Sequence, residues 1–444
     1  MSTTTTGTTQ IFYASTLYGA ATVAAALDSG CFRPAGRRLL LVSTNAAVPE
    51  TTTPVHAMPG FERLRGRFDA VLDWNETIEP LHPGGWTPRP DDLPLLQRHL
   101  RRLWDLGTDR IELVVESLQV APALTIAQLL PDASIDVYAD GLMSYGPTRN
   151  KIDPLVGERV RRLLHLDLVP GLEPLLLAEF GAVAETVPTE AFTKVVEELS
   201  GPQAAEPSSG EAPALLLGQY LAALSLLTPA EEADLHLRMV RGAVARGHRR
   251  LVFKPHPTAP DAWSRALVRE AEALGAELTV LDRPVLAEVL YRELRPALVV
   301  GCFSTALFTA SAFYGIQTAR VGTRPLLARL TPYQNSNRVP VALADALVPD
   351  LEGGDGWAAP GTAELAGLVA AVGFAMQPRI RPDLREAAVR HLSGPLAAAT
   401  RHHFTRRRLT SLGLPGGLPV PRHPGLRRLA RRALRLKRRA LGGR

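Results

Sequence analysis

Short apolar runs, each closing on polar residues and followed by a helical segment, recur along this chain and restrict its fold more than any other feature. In the first half they are Gln10–Ala14 (QIFYA), Leu39–Ser43 (LLLVS), Ile111–Glu116 (IELVVE) and Ser134–Ala139 (SIDVYA), with Phe68–Trp74 as a further strand. In the second half they are Ala214–Leu217, Leu251–Phe253, Leu278–Leu281 and Ala297–Val300. Helical spacing appears between them, at Ala20–Leu27, Leu95–Leu106, Leu124–Leu130, Asp261–Leu274 and Val285–Tyr291. Thr228, Pro229 and Glu231 supply a cap, a first-turn proline and a first-turn acid for a helix reaching about Arg246. Near-continuous apolar strands alternating with helices predict parallel sheets covered on both faces.

The pattern stops once and restarts. Ser200–Pro213 (SGPQAAEPSSGEAP) has the composition of a solvated linker. The expected division is an α/β domain over 10–199, a linker over 200–213, a second α/β domain over 214–375, a helical segment over 376–410 and a basic tail over 411–444. Leu163–Phe180, interrupted by Pro170, Gly171 and Pro174, reads as a crossing segment. A length of 444 residues suits two domains. Two cysteines, Cys31 and Cys302, give neither a disulfide framework nor a cysteine metal site, and fit a reducing cytosol. Met1–Gln10 lacks the basic and apolar parts of a signal peptide, and no run of about 18 apolar residues predicts a spanning helix.

Charge is unevenly spread. From Arg390 onward there are 15 Lys/Arg and no acid, so the rest of the chain carries −9 against a total of +6. Within that tail, Leu426, Leu429, Ala430, Ala433, Leu434 and Leu441 form a stripe among arginines and Lys437. Such a helix over Leu426–Leu441 suits an anionic membrane surface, at about 1 kcal/mol per basic residue. No nucleic-acid module accompanies it, and no nucleic-acid partner is expected.

Candidate chemistry sits at strand ends, where open α/β sheets bind ligands. Leu251–Pro257 (LVFKPHP) places Lys254 and His256 after an apolar strand, with Pro255 and Pro257 holding the backbone extended. A cation and an imidazole there suit an anionic ligand such as a nucleotide phosphate. Ser304 and Thr305 follow the Ala297–Val300 strand, where Thr305 is placed to cap a helix through Phe313 and a phosphate would meet free N–H groups. Asp140 and Gly141 close the Ser134–Ala139 strand, and Ser15, Thr16 and Tyr18 form the first strand-to-helix turn. Plain helix capping and an Asp-Gly turn account for these residues equally well when each is taken alone.

The ordered set resembles the bacterial sialyltransferases, most closely the alpha-2,8-polysialyltransferase family, from about Gln10 to Phe313. The matching segments are Tyr138-Ala139-Asp140-Gly141 for an acidic-acidic-glycine motif, Leu166–Leu172 (LDLVPGL), Lys254-Pro255-His256-Pro257 for a His-Pro motif, and the pair Ser304-Thr305. The resemblance implies a GT-B fold, two Rossmann-like parallel-sheet domains facing a central cleft. It also implies inverting transfer of sialic acid from CMP-sialic acid to a glycan or glycolipid hydroxyl, with no cofactor and no metal. Asp140 would be the base and His256 the group that hydrogen-bonds or protonates the departing phosphate. Lys254, Pro257, Ser304 and Thr305 would hold the CMP, with Gln219 and Glu288 toward the nucleoside, and Ser15, Thr16, Tyr18 and Gly141 on the acceptor side. The setting would be cytoplasmic, peripheral on the inner membrane face. One departure stands out: the first acidic motif position is Ala139. It leaves open a non-catalytic nucleotide-sugar binder, beside a transferase for another CMP- or CDP-linked donor, a keto sugar or polyol phosphate. The polyol-phosphate reading lacks the second histidine it needs near Ser304, since none lies between His256 and Arg390.

Overall fold

The computed structural model describes residues 7–139, 141–201, 211–219, 221–255, 261–281, 283–354 and 357–418, the side chains of 261–263 excepted. Asp140, His256, Pro257 and the stripe Leu426–Leu441 lie outside the described residues. Within them, no helix is long and apolar enough to cross a membrane.

Two parallel sheets form the frame. The first has seven strands, β1 (Thr8–Ala14), β2 (Arg37–Val42), β3 (Ala70–Asp73), β4 (Arg110–Val115), β5 (Ser134–Ala139), β6 (Val160–Leu166) and β7 (Val183–Val187), in the order β3-β2-β1-β4-β5-β6-β7. The second has five, β8 (Ala214–Leu217), β9 (Arg250–Lys254), β10 (Glu277–Val280), β11 (Leu298–Gly301) and β12 (Gln317–Arg320), in the order β10-β9-β8-β11-β12. Both read outward from a central first strand, the Rossmann-like pattern, and two such sheets side by side are the GT-B arrangement.

The continuous apolar runs exist because both sheet faces are covered. Along β1, Phe12 and Ala14 enter one core while Ile11 and Tyr13 enter the other, the period-two alternation of a strand. All four are fully buried. The helix Pro229–Ala245 opens on the expected capping box, with Thr228 and Glu231 bonding reciprocally.

Leu163–Phe180 is not a single crossing segment. Its first residues belong to β6, and β7 follows at Val183–Val187. Arg161 and Arg162 at the start of β6 bond the fully buried Asp136 of β5 at 2.9 Å each, so charged residues sit inside a sheet in mutual neutralisation. The helix Thr189–Ser200 then leads to the second domain. Its Phe192 packs between Tyr18 of the first domain and Phe313 of the second, with centroids 5.2 and 5.9 Å away. Glu197 pairs with Arg292 at 2.5 Å. Further contacts return from the far side. The helix Thr362–Met376 is buried along nearly its whole circumference, and a Cβ on its Gly373 would lie 2.9 Å from Leu175. Arg381 donates to the Leu175 carbonyl at 3.2 Å, and Arg149 to the Ser336 hydroxyl at 3.0 Å. The two domains are therefore joined at two places.

Candidate active site

On the second-domain side, three strand ends are tied together. Gly218 donates its N–H to the Lys254 carbonyl at 2.9 Å. A Cβ on Gly218 would lie 2.9 Å from the Phe253 ring and 3.2 Å from that carbonyl, so only glycine permits this approach of β8 to β9. Gln219, expected to face the nucleoside, accepts the Phe303 N–H through Oε1 at 2.9 Å and thereby ties β8 to the loop after β11. Ser304, not Thr305, caps the helix Thr305–Tyr314, its Oγ accepting the Ala306 N–H at 3.3 Å. Thr305 becomes the first helical residue, among the N–H groups that a helix leaves free.

Lys254 closes β9 half-buried. Burial pulls its ammonium below the usual lysine range, and the Glu288 charge opposes that. Glu288 itself is only 2% exposed, and its Oε1 accepts the Thr309 hydroxyl at 2.6 Å. Burial raises its carboxyl, while Thr309 and the Lys254 charge work the other way. Glu288, expected toward the nucleoside, is thus buried and bonded to the capped helix, close enough to Lys254 for the two charges to act on each other.

On the first-domain side the chain enters the motif at Ala139, the end of β5, and leaves it at Gly141. Gly141 is fully extended, φ −176°, and approaches the second domain so closely that a Cβ there would stand 2.7 Å from Thr305 Oγ1. Gly141 and Thr305, 164 residues apart in sequence, therefore meet between the two domains. LDLVPGL supports the Gly141 segment from behind, since the Val169 N–H donates to the Tyr145 hydroxyl at 3.1 Å. Given this packing, Gly141→Ala is expected to slow turnover about tenfold by holding the domains apart, and Thr305→Ala in the same chain to recover part of the loss. A double-mutant cycle on rates measures that coupling; additive losses would place the two residues apart in the working form.

The first turn is only partly as expected. Thr16 caps the helix Leu17–Asp28, accepting the Gly19 N–H at 2.9 Å. The Tyr18 ring is turned to Phe192. Ser15 is bonded through both N–H and hydroxyl to Glu116, which follows β4 and was not among the expected site residues. Glu116 also lies 3.3 Å from the Tyr138 hydroxyl. Its field, after burial, adds to the raised pKa of Tyr13, whose hydroxyl accepts the Asn45 amide at 3.1 Å. An acid ending an apolar strand is a signal present in the sequence, but its meaning depends on β1 and β4 being neighbours.

Away from the crevice, Asp345, His402 and His403 bring three metal-ligand atoms within 4.8 Å of one another. Arg320 at 3.1 Å and Arg324 at 3.9 Å already supply that carboxylate with countercharge.

The fold defines the class: a protein of GT-B type with two parallel-sheet domains. The family model of the alpha-2,8-polysialyltransferases matches residues 10–323, and the chain belongs to that family. It is accordingly a glycosyltransferase. No curated protein matches the sequence. Among solved structures, an O-GlcNAc transferase variant from Thermobaculum terrenum is 13% identical, with 92% of this chain and 69% of that chain covered and a TM-score of 0.36. MurG from Acinetobacter baumannii is 11% identical, covering 86% and 99%, with a TM-score of 0.38. A UDP-glucosyltransferase from Polygonum tinctorium is 11% identical, covering 90% and 98%, with a TM-score of 0.41.

Proposed function

We propose that this protein transfers sialic acid from CMP-sialic acid to a hydroxyl of a glycan or glycolipid, with inversion. The observation that supports the reading is the close approach of Gly141 to Thr305, which brings the glycine of one motif to the Ser/Thr pair of the other. An acceptor hydroxyl attacks the anomeric carbon from the first-domain side while the bond to the CMP phosphate oxygen breaks, its electron pair leaving on the phosphate. Asp140 takes the hydroxyl proton, and His256 donates a hydrogen bond or proton to the departing phosphate. Lys254, Ser304 and Thr305 hold that phosphate by charge and hydrogen bonds. Pro257 stiffens the histidine, and the remaining amide of Gln219 is directed to the nucleoside. The basic stripe Leu426–Leu441 would hold the enzyme at an anionic inner membrane face, where lipid-linked acceptors are made.

Ala139 motivates a second reading, a binder of CMP-sugars without turnover. One experiment separates the readings. The full chain is given CMP-sialic acid with oligosialic acid acceptors, and CMP release and product length are followed beside UDP-sugar and CDP-glycerol controls. Release of CMP with lengthened product is expected. Tight CMP binding without release would favour the binder, and turnover of CDP-glycerol would replace the sugar donor by a polyol phosphate.

A further inference from the structure

Glu116 stands immediately beyond β4, which lies between β1 and β5. Val115 pairs with Val137, so Glu116 comes level with Tyr138, one residue before Ala139. Neighbouring strands are about 5 Å apart, so its backbone is about that far from the β5 end and Ser15 about twice as far. Its Oε2 accepts the Ser15 N–H at 3.1 Å, and Oε1 accepts the Ser15 hydroxyl. Both residues are half-buried, and Thr16 beside them is exposed.

A hydroxyl carries one proton and two lone pairs. The Ser15 proton is committed to a carboxylate, which makes a strong charge-assisted bond. Ser15 therefore offers its surroundings lone pairs alone. It can receive a hydrogen bond from an O–H group, and it cannot donate one to a carboxylate or phosphate. The rim beyond carries hydroxyl and amide groups: Ser43 donates to Asn45 Oδ1 at 2.7 Å and lies 3.1 Å from Asn75 Oδ1, whose N–H bonds Asp73 behind it. The ends of β1, β2 and β4 thus make a surface suited to a neutral polyol.

Resting on the transferase reading, we infer that Ser15, polarised by Glu116, reads a free hydroxyl of the acceptor beside the attacking one and so selects acceptors by their glycerol-like tail. Ser15 makes the contact and Glu116 is the positioning residue that fixes its polarity. The carboxylate of an acidic acceptor sugar must then point away from β1.

The test uses the full chain as wild type, Ser15→Ala and Glu116→Gln, with sialylated acceptors whose terminal residue is intact or deoxygenated at C7 or C9. Both variants are expected to raise the acceptor KM about tenfold, the scale of one hydrogen bond, with the CMP-sialic acid KM and the melting temperature unchanged. Wild type is expected to penalise one deoxy acceptor about tenfold, and Ser15→Ala to treat the pair alike. A penalty that survives in Ser15→Ala, or a loss that falls on the donor KM, overturns the inference. A wild type that releases no CMP defeats the transferase reading instead. Calorimetric binding of the same acceptor pair to wild type and Ser15→Ala then decides the subsite by the same ratio.

Discussion

Replacing His256 with alanine is expected to lower kcat/KM for CMP-sialic acid by at least about 100-fold, the usual scale for a side chain that moves a proton in the transition state. Two negative oxygens gather on the CMP phosphate as its bond to the sugar breaks. In the proposed mechanism Lys254 and the N–H groups at the start of Thr305–Tyr314 would meet that charge in the ground state as well as in the transition state. Only a group that gives a proton or tightens a hydrogen bond during departure lowers the barrier selectively. His256 stands two residues beyond Lys254 with a proline on either side, so alanine there leaves the strand and its register intact. CMP binding and melting temperature are expected to hold near wild type while kcat falls. A loss below about tenfold would remove the histidine from the chemistry.

Much of the frame was legible because parallel strands covered on both faces have to be apolar on both faces. SIDVYA and ALLL match β5 and β8 residue for residue. The strands that escaped notice each pair with the strand next to them in the chain, but charge or exposure hides them. Arg161 and Arg162 make β6 look like surface until Asp136 is seen beneath them. β7 has three exposed residues among five and offers no apolar run. β12, QTAR, ends in an arginine that is 3% exposed and paired with Asp345 and Asp350. The strand-end residues were legible by type and place: Lys254, Ser304 and Thr305 stand where the pattern put them. Their partners were not. That Gln219 would clamp Phe303 and that Glu116 would take up Ser15 depends on strand order, and that Glu288 would turn to Thr309 depends on how two helices pack. Spacing along a chain carries no information on strand order.

The other large effect concerns stability in acid. His403 is 2% exposed, its Nε2 is 3.5 Å from Asp345, and its Nδ1 has no hydrogen-bond partner among the described residues. Burial first, then the neighbouring His402, pushes its pKa down to about 3, against an ordinary value of 6.5. Burial pulls Asp345 the other way, but the bonds from His402 and Thr323 and the charge of Arg320 outweigh it and hold that carboxyl at about 2. Both folded values lie below the unfolded ones, so both groups contribute stability at neutral pH and lose it as pH falls. For His403 the loss begins near 6.5 and continues toward 3; for Asp345 it runs from about 4 to 2. At pH 5 the histidine alone is expected to cost about 2 kcal/mol relative to pH 7.5. Because Tyr333 holds the His403 carbonyl at 3.2 Å and His402 bonds Asp345 at 2.5 Å, the segment around Arg401–His403 is where acid should first loosen the second domain. His403→Phe keeps an aromatic ring of similar size with no proton to bind. Stability to denaturant at pH 7.5 should fall by about 1 kcal/mol, because the ring loses the Nε2 contact with Asp345 along with the unpartnered Nδ1. At pH 5 the difference between the two should have moved in the variant's favour by the amount wild type has lost. Parallel stability curves for the two proteins between those pH values would show that His403 takes up no proton on unfolding and that acid acts elsewhere.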